Sequence, residues 1–376
     1  MEFTLSSTAL SSRLQTLAKV ISGKNSLPIL DSFLFNVNNG QLILTTSDSE
    51  NMMQTSLALD SQEGEGSFAL QSQTILDAMR ELPEQPLRFS VDLVLATITI
   101  SYQGGEYNFT TLNADEYPRM QPMPESVNVI TIDAGVLASS LNRSIFATAQ
   151  DELRPVMNGI YFDLTPDALA IVASDGHKLV RNKNFTIKSE TPASFILPKK
   201  PANLLKNILG KDGGDVVIKF DERNAEIHFA DGLLVCRLIE GRYPNYNSVI
   251  PQSNPNQLTI DRRLLLSALR RVLPFGSKSS QLVKFKLAAG SLELSSEDID
   301  YATKAHETLA CDYAGQNMSI GFKGRSLTEI LSNLDGDQVN IELADPSRAG
   351  IIVPVEQPEN EDVLMLLMPM LLSDQN

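Results

Sequence analysis

The chain reads as an α+β protein with antiparallel sheets, built from three pseudo-repeated domains that each hold two helix-plus-antiparallel-strand units. Two observations predict this class. A pattern of one amphipathic helix followed by short alternating strands returns three times at a period of about 125 residues, and recurrence of one supersecondary unit marks a repeat architecture. Within each period a second strand and helix appear midway, dividing the chain into six units of about 60 residues, each of which must bury one sheet face. The expected domains are residues 1–128, 129–256 and 257–376 of the 376.

In the first repeat, Ser6 and Ser7 can cap a helix carrying Leu10, Leu14, Leu17, Val20 and Ile21 at helical spacing. A strand is expected over 28–37, then a turn at Asn38-Asn39-Gly40 and strands over 41–46 and 52–59. The order returns after Thr131 with a helix bearing Leu137, Leu141 and Ile145, a strand over 155–164, a Thr165-Pro166-Asp167 turn and a strand over 168–174. It returns again after Thr259, with Leu264, Leu265, Leu269 and Val272 on the helix and strands over 282–287 and 291–294. The midway pairs are strands over 67–70, 194–197 and 319–322, each followed by a helix, over 75–82, 201–209 and 327–334.

The formal net charge is -15, so the chain as a whole repels nucleic acid. Its distribution is uneven. Sixteen lysines and arginines lie in or beside the six helical segments, among them Arg13, Arg143, Arg262, Arg263 and Arg325, against five carboxylates. That leaves the helices at about +11 and the rest at about -26. If pseudo-symmetry gathers the helices on one side, the field there suits phosphates and carries no base readout.

The longest apolar stretch, over 363–372, is about half the ~20 residues that a membrane helix needs, so a soluble, cytoplasmic protein with no membrane partner is expected. Cys236 and Cys311 stand in dissimilar contexts and read as buried, inert thiols. Asp175-Gly176-His177 could be presented as an acid–base or metal group. His228 and His306, the other two histidines, provide neither ligand spacing nor a triad, so no catalytic residue, metal or cofactor is expected. Gly210 starts the string GKDGG, which lacks a phosphate loop's Lys-Ser/Thr ending and reads as a helix C-cap and turn. Glu297, Asp298 and Asp300 read as a solvated strand connection.

Several strings carry a resemblance. Residues 26–35 read SLPILDSFLF, 115–119 DEYPR, 154–162 RPVMNGIYF, 172–179 VASDGHKL, 240–246 EGRYPNY and 367–370 LMPM. Over essentially its whole length the chain resembles the bacterial DNA polymerase III beta subunit, or beta sliding clamp, family. The resemblance implies a DNA clamp fold and a head-to-tail homodimer that closes as a ring around double-stranded DNA without reading its sequence. It implies no enzymatic activity; the clamp is a replication processivity factor that tethers the replicative DNA polymerase, the clamp loader and repair proteins through a hydrophobic peptide-binding cleft. Matched position by position, the cleft would comprise Met157, Ser174, Gly176, His177, Lys178, Leu179, Pro244 and Val249, with Ser347, Ala349, Leu366, Leu367, Met368, Pro369 and Met370. The dimer interface would fall at Tyr107, Phe109, Leu273 and Phe275. Lys24, Arg80, Gln150, Lys199, Lys200, Arg270 and Arg271 are the candidates for facing DNA phosphates. Ser248 stands where many clamps carry a basic residue, and the chain from Leu371 onward extends beyond the usual ending. Two rival readings are a monomeric peptide-docking scaffold and a β-rich hydrolase using Asp175 and His177.

Overall fold

The computed structural model describes residues 1–23, 25, 27–119, 123–124, 127–209 and 213–372. Lys24, Ser26, the GKDGG residues Gly210 to Asp212 and the tail from Ser373 therefore lie outside the described residues.

The first repeat runs β1 (Glu2–Ser6), α1 (Ser7–Leu17), β2 (Ser32–Asn38), β3 (Gln41–Ser47), β4 (Asn51–Ala58), β5 (Ser61–Glu63), β6 (Gly66–Gln71), α2 (Ser72–Arg80), β7 (Pro86–Asp92), β8 (Thr97–Tyr102) and β9 (Gly105–Thr110). The second runs β10 (Asn128–Asp133), α3 (Ala134–Ile145), β11 (Gly159–Leu164), β12 (Leu169–Ser174), β13 (Lys178–Asn184), β14 (Ala193–Pro198), α4 (Lys199–Leu209), β15 (Asp215–Phe220), β16 (Asn224–Phe229) and β17 (Gly232–Arg237). The third runs β18 (Asn256–Asp261), α5 (Arg262–Val272), β19 (Leu282–Ala288), β20 (Ser291–Asp298), β21 (Thr303–Ala310), β22 (Asp312–Tyr313), β23 (Met318–Lys323), α6 (Gly324–Ser332), β24 (Gln338–Leu343), β25 (Gly350–Pro354) and β26 (Glu361–Leu367).

Each helix follows directly on a strand, and in four cases the strand's last residue caps it. Ser6, Gln71, Asp133 and Asp261 accept from the amides of Ala9 (3.2 Å), Thr74 (3.0 Å), Val136 (3.0 Å) and Leu264 (2.7 Å), satisfying donors that a helix start leaves open. The strands expected to begin at Pro28 and Pro155 start later, at Ser32 and Gly159, after the 3-10 turns Pro28–Asp31 and Pro155–Asn158. Proline has no N–H for a ladder and its fixed φ suits a turn's first residue. The two halves of each repeat also interlace, because the opening strand pairs beyond the second helix: β1 with β7, β10 with β15 and β18 with β24.

By contacts the chain forms two compact units, Met1–Ala138 with Asn203–Leu238, and Ser139–Ala202 with Ile239–Asn376. In the first, one sheet has the order β5-β1-β7-β8-β9 and another β10-β15-β16-β17-β4-β3-β2-β6. The second of these sheets joins two repeats where β17 pairs with β4. Gly232 makes that join possible, since a Cβ there would lie 2.4 Å from the Gln54 carbonyl oxygen. The core holds Leu10, Leu14 and Leu17 of α1 and Ile75 and Met79 of α2. On the five-stranded sheet Phe3 stacks on Phe89 at 4.6 Å.

In the second unit the orders are β14-β11-β12-β13-β26-β25-β24-β18-β22 and β21-β20-β19-β23, and repeats join where β13 pairs with β26 from Lys178↔Leu367 to Asn184↔Glu361. Leu265, Leu269 and Val272 of α5 and Leu327, Ile330 and Leu331 of α6 are buried. Arg143, counted above among the helix cations, faces inward: its guanidinium bonds Glu361 at 2.9 Å and Asp335 at 3.1 Å, with both Arg143 and Glu361 side chains only 6% exposed. Cys236 is buried, and burial pushes its thiol up to about 12. Cys311 is only half-buried, contrary to expectation, because it lies in the one-residue link between β21 and the sheet-end strand β22.

Removing one partner of a buried ion pair strands the other charge, so Arg143→Ala is expected to cost about 3–5 kcal/mol in urea unfolding. Arg143→Met combined with Glu361→Gln should cost clearly less, and equal losses for the two would show that the pair is not isolated from water.

Candidate functional site

Most of the expected cleft residues converge around the β13–β26 join of the second unit. Asp175 starts the turn into β13. Its carboxylate accepts from the amides of His177 (2.8 Å) and Lys178 (2.9 Å), while Ser174 Oγ donates to the Lys178 carbonyl at 2.9 Å. Gly176 sits at φ 89°, a conformation that favours glycine. Burial works to raise the Asp175 carboxyl, but the Lys178 and His177 amides and the Lys178 ammonium together hold it below its ordinary value. The returning strand closes the turn, because Met368 N–H donates to the His177 carbonyl at 2.8 Å.

Register then separates the cleft residues onto two faces. Leu179 pairs with Leu366 and Lys178 with Leu367, so each strand sends neighbouring side chains to opposite sides. Leu179 and Leu366 join a buried apolar cluster with Ala170, Val172, Ala349, Ile351 and Leu364, over which the connector after β17 lays Tyr243 and Tyr246. Half-buried Val156, Tyr161, Ile239, Ile250 and Val353 pack against it. Tyr161 stacks on Tyr243 at 4.7 Å, and Tyr246 donates to Asp163 at 2.8 Å. This face lies opposite the one from which Asn182 of β13 reaches Ser144 of α3, so the sheet is covered on both sides. Lys178 goes to the helix side, its ammonium 3.0 Å from Asp175 and 3.3 Å from Glu329 of α6. Leu367 is buried on that side too, so these two positions support the turn and strand and do not form the apolar floor.

At the rim, Val249 is 54% and Met368 40% exposed. His177, Pro244 and Ser347 are exposed, and Pro369 and Met370 are half-buried. Met370 N–H reaches Gly321 of β23 at 2.8 Å. Met157 is buried at the end of its 3-10 turn, its carbonyl accepting from Ala149 at 2.8 Å. The tyrosine pair and Val156, Ile239 and Ile250 were not singled out from sequence, although EGRYPNY holds Tyr243 and Tyr246. The Asp175 carboxylate meets the His177 backbone amide and the Lys178 ammonium, and among the described residues no cluster of His, Cys, Asp and Glu could hold a metal ion.

The expected phosphate-facing residues vary in setting. Lys24 lies outside the described residues. Gln150 and Arg270 are exposed, Lys199 and Lys200 are half-buried in the first turn of α4, and exposed Arg80 is 3.7 Å from Asp77. Arg271 is held by Glu307 at 2.5 and 2.9 Å. Arg13 likewise bonds Asp231 at 2.7 Å, and Arg262 donates to the carbonyls of Gly336 and Leu331. Carboxylates that arrive from other parts of the chain, Asp231 and Glu307, thus reduce the basic field that the helical segments display in sequence. Of the expected interface residues, Tyr107 and Phe109 are half-buried on β9, the last strand of its sheet. Leu273 and Phe275 form a 3-10 turn after α5, with Phe275 45% exposed.

Models of the DNA polymerase III beta subunit match the chain in succession, the N-terminal domain over residues 1–121, the central domain over 131–245 and the C-terminal domain over 247–371. The chain belongs to the beta sliding clamp family. Beta sliding clamps of Pseudomonas putida and Staphylococcus epidermidis are 26% and 27% identical to it, each over 98% of this chain and 100% and 99% of the relative. Among solved structures, a Pseudomonas aeruginosa sliding clamp bound to griselimycin superposes with a TM-score of 0.93 at 24% identity. One from Bartonella birtlesii, also bound to griselimycin, gives 0.90 at 26%, and both alignments cover 99% of this chain and 100% of the other. Members of the beta sliding clamp family are processivity factors and not enzymes, and the family's partner classes are DNA and DNA polymerase. No described helix is long and apolar enough to cross a membrane.

Because the Asp175 carboxyl is depressed in the folded clamp, its contribution is fully present above about pH 4 and is lost as pH falls through its lowered value. Between about pH 6 and pH 3, the urea midpoint of Asp175→Asn should therefore fall less than that of the unsubstituted chain. Parallel falls would show that Asp175 carries no such linkage.

Proposed function

We propose that two copies of this clamp, with domains at residues 1–128, 129–256 and 257–376, close head to tail around duplex DNA. We further propose that the apolar groove around Leu179, Leu366 and Met368 receives short peptides from the replicative polymerase, the clamp loader and repair proteins. The carrying observation is the apolar cluster on the sheet face away from α3, with Val249 and Met368 exposed at its rim. An exposed apolar patch bordered by polar groups suits a partner's side chains, and methionine's flexible thioether adapts to differing ones. Ser174 and Gly176 shape the wall and Lys178 supports the turn from behind; Met157, Pro244, Ser347, Ala349, Leu367, Pro369 and Met370 complete the site's surroundings.

Retention on DNA then comes from enclosure. Arg80, Gln150, Lys199, Lys200 and Arg270 make weak phosphate contacts that permit sliding, with Lys24 as a further candidate. Arg271 contributes less while Glu307 holds it. Tyr107 and Phe109 of one copy pack against Leu273 and Phe275 of the next, covering a sheet edge that would otherwise invite aggregation.

After assisted loading, and in salt high enough to abolish simple electrostatic binding, the protein should stay on circular DNA and leave linearised DNA. Equal loss from both, with loading verified, would leave peptide docking alone. Met368→Ala should weaken several unrelated partner peptides about 5- to 30-fold by fluorescence anisotropy while the dimer persists. Unchanged affinities would remove the groove assignment.

A further inference from the structure

β9 and β21 each end their sheet, and strand alternation decides what each offers a neighbour. On β9, Tyr107 and Phe109 lie opposite the buried Ile100 and Ile98, whereas Glu106 and Asn108 lie opposite Ser101 and Thr99 on the outer face. On β21, Leu309 and Glu307 lie opposite the buried Leu292 and Leu294, whereas Lys304, His306 and Thr308 lie opposite Glu297, Ser295 and Glu293 on the outer face.

The inner side of β21 is tied to the turn after α5. Glu307 binds Arg271, and Thr303 Oγ1 donates to the Phe275 carbonyl at 2.9 Å, so Leu273–Phe275 runs beside residues 303–307. A second copy whose Tyr107 and Phe109 rest on Leu273 and Phe275 therefore sets residues 106–108 beside 304–306. Its Glu106 then faces Lys304 and His306 on the outer side.

The charges match. In a chain of net charge -15, the outer face of the four-stranded sheet carries Lys284, Lys286 and Lys304 against Glu293 and Glu297. Residues 97–110 contain no lysine or arginine, and the Glu106 carboxylate accepts from the Asn108 side-chain amide at 3.4 Å. Lys304 is 3.5 Å from Glu297 with both side chains largely in solvent, a pair that contributes little and leaves ammonium protons for another acceptor.

We propose that Glu106 of one copy pairs with Lys304 and His306 of a second across the β9–β21 edge, and that this charge match governs how long the dimer lasts and with which chains it forms. The inference rests on the head-to-tail reading above. Head-to-tail closure makes it distinctive, since each chain supplies Glu106 to one interface and Lys304 to the other.

Subunit exchange between two fluorescently labelled full-length populations tests it. Glu106→Lys or Lys304→Glu alone should each speed exchange about three- to tenfold, more strongly in low salt than in high. Mixing the two variants should give mainly heterodimers, because their two interfaces are both matched while each homodimer has two like-charge contacts. Random mixing, or exchange rates unmoved by either reversal in a chain that is dimeric without them, would overturn the charge match and leave the ring intact. A monomeric unsubstituted chain would remove the ring reading and this inference together.

Discussion

The pairing of β13 with β26 is the constraint on which the candidate site depends. A strand at the end of a four-stranded sheet leaves a row of amides and carbonyls unbonded, and here the final strand of the third repeat satisfies the row left by the second. The join brings the Ser174–Leu179 turn against Leu366 to Met368, segments far apart in the chain, and the His177 carbonyl accepts from Met368 as a result. In the other unit β17 and β4 join in the same way, with Gly232 allowing the backbones to meet.

Once that register is set, side-chain direction follows from the two-residue period of a strand. Leu179 and Leu366 are placed in the apolar cluster, while Lys178 and Leu367, their immediate neighbours, go to the side where Lys178 meets Glu329. The same period gives β9 an inner row of Tyr107 and Phe109 with Glu106 and Asn108 outside, and gives β21 Glu307 and Leu309 inside with Lys304 and His306 outside. Cluster and edge are thus consequences of pairing, and Asp175, Ser174 and the positive φ of Gly176 hold the turn that starts the register.

Much of the fold was legible in the chain itself. Among the described residues six α-helices stand near the expected apolar stripes, four with the strand's last residue as a cap, because local periodicity and capping chemistry act over a few residues. The strands read as starting at Pro28 and Pro155 began four residues late, since the apolar pattern continued through proline turns that cannot join a ladder. Arg143 and Arg271 looked like members of a basic helix face and proved to be held by Glu361, Asp335 and Glu307. Nothing local in the sequence marks those partners, because the carboxylates arrive from other elements.

By itself, the sequence determined the class, the threefold recurrence, the helix starts and, through strings such as VASDGHKL and EGRYPNY, the family to which the chain belongs. These depend on residue identity and short spacing, which survive in a linear reading. Only the tertiary structure decided that opening strands pair beyond the second helix, that Tyr161, Tyr243 and Ile250 pack with the apolar cluster around Leu179 and Leu366, and which cations remain in solvent. Those outcomes depend on long-range register and on charges that meet only after folding, and neither is encoded in the spacing along one segment.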